Sequence, residues 1–270
     1  MKAQIVSTTG SKQDEIELPL VFSTVIRKDL IHRAYINLET HNFQRQGRHL
    51  TAGMDVAASS LDPPTGHGQS RIAKMHGGGG GRQGEAAGVG SVRGGRLIHP
   101  PKSRKTIYKR LNKKENKLAL CSALAATTSK ELIESRGHKV EKVDSFPLVI
   151  SNEIEKVSKT KDLIKILDSL KLFDDVNRLT PRKPRTGKSV LRGRGRKIGK
   201  SILFVVSNKE QLAKACGSLP GVDCVEVKNL SVLDLAPGAK PIRLTAYSKK
   251  AIEKLSKLKS THLELMVKIK

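Results

Sequence analysis

Ser201-Ile202-Leu203-Phe204-Val205-Val206-Ser207 is the stretch on which the fold turns. Its apolar residues follow one another without alternation, the pattern of a strand covered on both faces, as in a parallel sheet flanked by helices. Working outward, Ser207 with Glu210 reads as a capping box for a helix ending near Gly217. Val222–Val227 is a further strand, Leu244–Tyr247 a shorter one, and a helix runs from about Ser248 to Lys259. Upstream, Pro147–Ser151 is a strand, and Thr160 caps a helix with Leu163, Leu167 and Leu170 on one face. Asn112 with Glu115 opens the clearest helix of the chain. There Leu118, Cys121, Ala125, Thr128 and Leu132 fall at i+3/i+4 spacing, and Gly137 supplies the stop. At the start, Ala3–Ser7 and Glu15–Leu18 read as a hairpin about Gly10. A helix follows from Lys28 to His41 with Leu30, Ile31, Ala34, Tyr35 and Leu38 on one side. This alternation predicts an α/β body with a mostly parallel sheet and helices on both faces.

The 270 residues hold 51 Lys+Arg against 25 Asp+Glu, a net charge of +26. Such an excess favours a polyanionic partner. With no Trp, three Tyr and five Phe, base stacking is a minor mode at most, which leaves recognition of phosphates and nucleic-acid shape. No apolar stretch approaches the ~20 residues of a bilayer crossing, and Met1–Gly10 has no apolar core of a secretory signal. Cys121, Cys216 and Cys224 match neither a zinc pattern nor a disulfide framework. The expectation is a soluble chain of a reducing, cytoplasmic compartment with no membrane partner.

The charge is unevenly placed. Residues 42–110 hold 14 of the 23 glycines and twelve Lys/Arg against Asp55, Asp62 and Glu85, a net +9. Residues 178–200 hold ten Lys/Arg and no acid. The remaining 178 residues share +7, an ordinary value for a globular domain. The expected layout is a single body of 1–41 and 111–270, with 42–110 inserted as a long extended Gly/Arg-rich loop. Ordering 69 residues costs on the order of 70 kcal/mol at ~1 kcal/mol each, and this segment has too few large apolar residues to offset that by burial. Its order must come from a polyanionic scaffold. As an out-and-back hairpin it reaches at most ~110 Å at ~3.3 Å per residue, the scale of a large RNA rather than a groove.

Candidate chemistry is sparse. Gly79-Gly80-Gly81-Arg82-Gln83-Gly84 satisfies G-x-G-x-x-G, but five successive glycines satisfy many patterns, and the preceding strand, following helix and downstream acid are missing. Gly187-Lys188-Ser189 matches the end of a P-loop, yet Arg182 stands where the first glycine belongs. His67, His76 and His99 lack ligands at metal spacing. Asp174 and Asp175 read as a solvated helix face, and Cys121 as a small core residue. No catalytic set, cofactor or small-molecule substrate follows. Lys113, Lys114 and Lys117 crowd the first turns of a helix, where they oppose its dipole unless a phosphate sits there. Leu191–Lys197, tethered at both ends, reads as a phosphate-gripping loop.

Several motifs occur together in order: Gly66-His67-Gly68, the tract Gly77–Gly81, Gly94-Gly95-Arg96 before His99-Pro100-Pro101, and Asn112-Lys113-Lys114-Glu115 leading to Ser122-Ala123-Leu124-Ala125-Ala126. Gly187-Lys188-Ser189, Arg192-Gly193-Arg194 and Leu233-Asp234-Leu235-Ala236-Pro237-Gly238 follow. Over essentially its whole length the chain resembles the archaeal–eukaryotic branch of the universal ribosomal protein four family of the large subunit. That resemblance implies a three-layer Rossmann-like body that binds no nucleotide. It also implies an internal loop threading large-subunit ribosomal RNA and lining the nascent-peptide exit tunnel with its tip, and a role early in subunit assembly. The implied partners are that RNA, neighbouring ribosomal proteins and the nascent peptide.

The residues expected to bind ribosomal RNA are Arg45, Arg48, His67, Arg71, Lys74, Arg82, Arg93, Arg96, His99, Lys102, Arg104, Lys105, Lys109 and Arg110 in the glycine-rich segment. Lys113, Lys114 and Lys117 belong to the helix start, and Arg182, Lys183, Arg185, Lys188, Arg192, Arg194, Arg196 and Lys197 to the second basic segment. The alternative is an RNA-modifying or RNA-processing enzyme with a cofactor in its α/β body, which calls for a glycine-rich, acid-bearing turn after a buried strand. After Val206 the sequence instead reads Ser207-Asn208-Lys209-Glu210. A chromatin-type DNA binder is the third class.

Overall fold

The computed structural model describes residues 1–256 except 61–65, 67, 69, 77–80, 144, 182–184 and 196–198. The chain divides into two units, Met1–Glu39 with Arg110–Lys270, and Thr40–Lys109. The first begins with β1 (Lys2–Val6), antiparallel to β2 (Lys12–Glu17), and α1 (Lys28–Glu39). The second holds β3 (Ala58–Ser59) and β4 (Lys74–Met75), also antiparallel. The first unit resumes with α2 (Lys113–Ala126), α3 (Lys130–Ser135), β5 (Leu148–Ile150), α4 (Thr160–Ser169), α5 (Phe173–Asn177) and α6 (Lys188–Leu191). It ends with β6 (Leu203–Val206), α7 (Leu212–Cys216), β7 (Asp223–Glu226), α8 (Val232–Leu235), β8 (Thr245–Ser248) and α9 (Lys249–Ser256).

Six strands form one sheet in the order β2-β1-β5-β8-β6-β7, parallel throughout except for β2 at the edge. All residues of β5, β6 and β8 are buried. Because successive side chains of a strand point to opposite faces, both faces of the central sheet are covered. That is why Leu203–Val206 shows no alternation. Each such Leu, Val or Phe contributes about 1.5–3 kcal/mol when fully buried. Gly10, at φ +87°, turns the β1–β2 hairpin, and a Cβ there would lie 2.8 Å from the Ser169 carbonyl oxygen.

Four local expectations need correction. The single helix expected from Asn112 to Gly137 is two, α2 and α3. At the break the N–H groups of Thr127, Thr128 and Ser129 reach back only three residues, and the Thr127 and Thr128 hydroxyls donate to the Leu124 and Ala125 carbonyls at 2.7 and 2.8 Å. The turn tightens and the ladder stops. The buried residues of α2 are Ala119, Ser122, Ala123, Leu124, Ala125 and Ala126; of the expected stripe Ala125 is among them, while Leu118 and Cys121 are half-buried. Small residues let α1 and α2 approach, and Ser122 ties the α1 entry, accepting from Arg27 N–H at 2.5 Å and donating to Val25 O at 3.1 Å.

Neither expected capping box forms. Asn112 makes no side-chain cap, and Glu115 pairs with Arg33 at 3.6 Å. Ser207 N–H donates to Glu155 Oε1 at 2.8 Å, and the helix begins later, at Leu212. A capping box does form between Ser231 and Asp234, ahead of α8. Thr160 is the first residue of α4, with Lys159 in the cap position. The end of the last expected helix, residues 257–259, lies outside the described residues.

Candidate nucleic-acid interface

In the unit Thr40–Lys109 glycine and charge replace apolar packing. Among its described residues only Thr40 and Ala87 are buried, while Phe43, Leu50, Met54, Ile72, Leu97 and Ile98 are each about half exposed or more. What holds the strand returns together is hydrogen bonding by backbone N–H groups. Lys109 N–H donates to Thr40 Oγ1 at 3.0 Å, Arg48 N–H to Pro101 O at 3.1 Å, Arg96 N–H to Val89 O at 3.1 Å, and Met75 N–H to Glu85 O at 2.9 Å. Glycine makes the crossings close: a Cβ on Gly47 would meet the Ser103 backbone nitrogen at 2.8 Å. These bonds join early residues of the unit to late ones, and most of its described side chains are exposed.

Arg45, Arg48, Arg71, Arg82, Arg93, Arg96, His99, Lys102, Arg104, Lys105 and Lys109 are exposed there, and Lys74 is half-buried. Arg82 pairs with Glu85 at 3.0 Å. The Arg45 guanidinium lies 5.4 Å over the Tyr108 ring, and His41 stacks on Tyr108 with centroids 5.5 Å apart. His41 and Tyr108 were not expected from composition; the aromatic residue flanked by Lys105 and Lys109 was their one signal. Among the described residues Arg93, Arg96, Lys102, Arg104 and Lys105 have no acid within ion-pair distance. Gly81 and Gly84, the described part of the G-x-G-x-x-G match, occupy turns at positive φ next to the two-residue strand β4. His67 lies outside the described residues.

In the other unit Arg110, Lys113, Lys114 and Lys117 are exposed about the N-terminus of α2, whose cap residue makes no side-chain bond. Four free N–H groups and the helix dipole therefore coincide with these cations. In the second basic segment Arg185, Lys188, Arg192 and Arg194 are exposed, and Leu191 stands 87% exposed at its tip. Arg185 N–H donates to Gly195 O at 2.7 Å, joining the two arms of this loop, and Arg194 N–H to Ser189 O at 2.8 Å. Arg182, Lys183, Arg196 and Lys197 lie outside the described residues.

The base of this loop is where the sequence reading fails. Asp174 is solvent-facing and pairs with Lys142 at 2.7 Å, but Asp175 is completely buried. Its Oδ2 accepts from His138 Nδ1–H at 3.0 Å and from the Ser201 hydroxyl at 2.6 Å; its Oδ1 accepts from Arg178 Nε–H at 3.0 Å and Lys139 N–H at 3.1 Å. Leu244 N–H faces His138 Nε2 at 3.4 Å, which places the ring proton on Nδ1. Burial pushes the Asp175 carboxyl up, but the hydrogen bond from His138, then those from Ser201 and Arg178, outweigh it and hold the carboxyl well below the usual carboxylate range. Beside it Arg243, 1% exposed, donates to Ser201 O, Ile202 O and Gly221 O at 2.5, 3.0 and 2.6 Å and pairs with Asp223 at 2.6 Å. Asp223 also receives Lys200 at 2.7 Å. Leu172, Val176 and Leu179 mark an inward stripe that includes Asp175, the available signal for its burial. His138 and Arg243 had none.

Among the described residues no group of three or more His, Cys, Asp or Glu is placed to hold a metal, and no helix is long and apolar enough to cross a membrane. The sequence profile of the ribosomal protein L4/L1 family matches residues 16–258. The chain is 41% identical over 258 residues to the large ribosomal subunit protein uL4 of Sulfurisphaera tokodaii, covering 95% of this chain and 94% of that one. It is 40% identical over 258 residues to the uL4 protein of Methanococcus aeolicus, covering 95% and 99%. Against the Archaeoglobus fulgidus uL4 protein it is 40% identical over 256 residues, covering 94% and 98%. A profile match and identities of this order, running through both units and both basic segments alike, leave one conclusion: the chain belongs to the ribosomal protein L4/L1 family.

Proposed function

We propose that the protein is a structural, non-enzymatic constituent of the large ribosomal subunit that binds large-subunit ribosomal RNA in the cytoplasm and aids its assembly. The observation that carries this reading is the set of exposed arginines and lysines in 42–110 and 178–200, of which Arg93, Arg96, Lys102, Arg104 and Lys105 have no acid within ion-pair distance among the described residues. Such groups repel one another in the free chain and gain most against closely packed phosphates, which they neutralise with release of counterions. The relatives' shared name, large ribosomal subunit protein uL4, supports the same assignment.

On this reading the first unit is a three-layer Rossmann-like platform whose sheet supports the grip and binds no nucleotide. Residues 42–110 form an extended loop, inserted in a body of 1–41 and 111–270, that RNA orders and that joins RNA segments distant in sequence. Its own apolar content is too small to stabilise it by burial. The family resemblance adds contact of the loop tip with the nascent peptide and contact of the body with neighbouring ribosomal proteins. Arg45 to Arg110, Lys113–Lys117 and Arg182–Lys197 are the gripping residues.

Chemical footprinting on naked large-subunit RNA, with and without the protein, tests the reading. Protection of several RNA segments is the expected result, together with co-sedimentation of the tagged protein with large subunits. Absence of protection at moderate salt overturns it. A competition titration at fixed salt separates RNA from duplex DNA, and comparable affinity for both counts against a ribosomal role.

A further inference from the structure

Burying an aspartate and an arginine is costly, and an apolar set of the same shape serves folding at least as well. What the polar set can do is fix direction at particular atoms, and those atoms belong to the two ends of the basic segment 178–200. Arg178, its first residue, gives Nε–H to Asp175 Oδ1 at 3.0 Å and Nη2–H at 3.3 Å to the carbonyl of Lys200, its last. Ser201, the next residue, gives its hydroxyl to Asp175 Oδ2 at 2.6 Å, and His138 holds the same oxygen at 3.0 Å. One buried carboxylate therefore receives both ends of the segment.

The Lys200 ammonium is fixed on Asp223 at 2.7 Å, and Ser201 N–H donates to Gly221 O at 2.8 Å. Gly221, at φ +75°, closes the site from the other side. A Cβ there would lie 2.4 Å from Gly199 O and 2.9 Å from Ser201 N. Farther out, the Arg185–Gly195 bond joins the two arms a second time.

The geometry points to Asp175, His138, Ser201 and Arg178 as positioning residues for RNA binding. They clamp the base of the segment so that its cations meet phosphate as a ready-formed loop. This rests on the reading above that the segment grips RNA. The gain is preorganisation: a loop already closed does not pay its ordering entropy on binding.

Arg178→Lys tests the clamp in the full chain, because it keeps the charge while a single ammonium cannot span Asp175 and the Lys200 carbonyl. The expected results are about tenfold weaker binding of a large-subunit ribosomal RNA transcript and an unchanged slope of log K against log salt. Amide exchange at Arg185 and Arg194 should quicken about tenfold. Ser201→Ala, the milder change, gives the same pattern at about threefold and keeps the test decisive should Arg178→Lys unfold the body. Parental binding and exchange in both variants overturn the clamp. So does weaker binding that accompanies a lower melting temperature while exchange at Arg185 and Arg194 stays put. Arg192→Gln with Arg194→Gln probes the underlying reading separately: affinity and salt slope unchanged in that pair remove phosphate gripping, whereas the exchange data still decide the clamp.

Discussion

Replacing Arg243 with methionine removes the charge at the centre of the body while keeping a long, flexible side chain. The structure lets the loss be worked out bond by bond. Gly221 O retains Ser201 N–H, Ile202 O retains Asp223 N–H, and Asp223 retains Lys200. Among the described residues Ser201 O has no other donor, so one buried carbonyl is orphaned at a cost of about 1–3 kcal/mol. Asp223, about a third exposed, loses its buried partner. Breaking a buried pair from one side costs about 3–5 kcal/mol, and solvent reaching Asp223 and the methionine's apolar packing place the sum near the lower end, ~3 kcal/mol. For a domain of this size that lowers the melting temperature by roughly 6–12 °C. Urea unfolding of the full chain, followed by far-ultraviolet circular dichroism with the m-value held in view, measures it. A change below about 1 kcal/mol at constant m refutes the account, because the four donated bonds would then contribute nothing net.

Three further outcomes follow from the same geometry. Gly221→Ala forces a side chain into a left-handed residue against the Gly199 carbonyl and Leu179, and costs at least ~1–2 kcal/mol for the conformation alone, read as a lowered urea midpoint. The depressed Asp175 carboxyl means that the unfolded chain takes up its proton first as pH falls. Its contribution is therefore complete above the unfolded value of about 4 and drains away as pH drops from there toward the lower folded value. Denaturation midpoints should stay flat above about pH 5 and fall below it, and Asp175→Asn should flatten that acid limb while lowering the plateau. Mild proteolysis of the free protein should cut first within 42–110, and deleting 70–93 should leave the cooperative thermal transition of the remainder in place while impairing assembly. Loss of that transition contradicts the division of the chain.

Much of the body is legible because the signals are local. A run such as Leu203–Val206 is apolar at every position only if both faces are covered, so it announces a central parallel strand from its own residues. The hairpin about Gly10 and the helix after Lys28 announce themselves the same way. The caps mislead because a cap needs the helix to begin where the motif does. Ser207 N–H finds Glu155, 52 residues away, and the helix begins five residues later, at Leu212. The buried face of α2 misleads for a related reason. Counting large apolar residues finds Leu118 and Cys121, whereas α1 demands the small ones, Ala119, Ser122 and Ala123, at the point of close approach.

Composition and spacing by themselves determined the alternation of strands and helices and the concentration of charge on 42–110 and 178–200. They did so because periodicity and net charge are sums over neighbours in the chain. Only the tertiary structure decided that the last strand, β8, enters between β5 and β6, that Asp175 turns inward while Asp174 faces water, and that Arg243 ends among three carbonyls. Each depends on partners distant in the chain, Gly221 at 22 residues from Arg243 and His138 at 37 from Asp175 among them, and whether a charge may be buried is settled by such partners, which no local pattern contains.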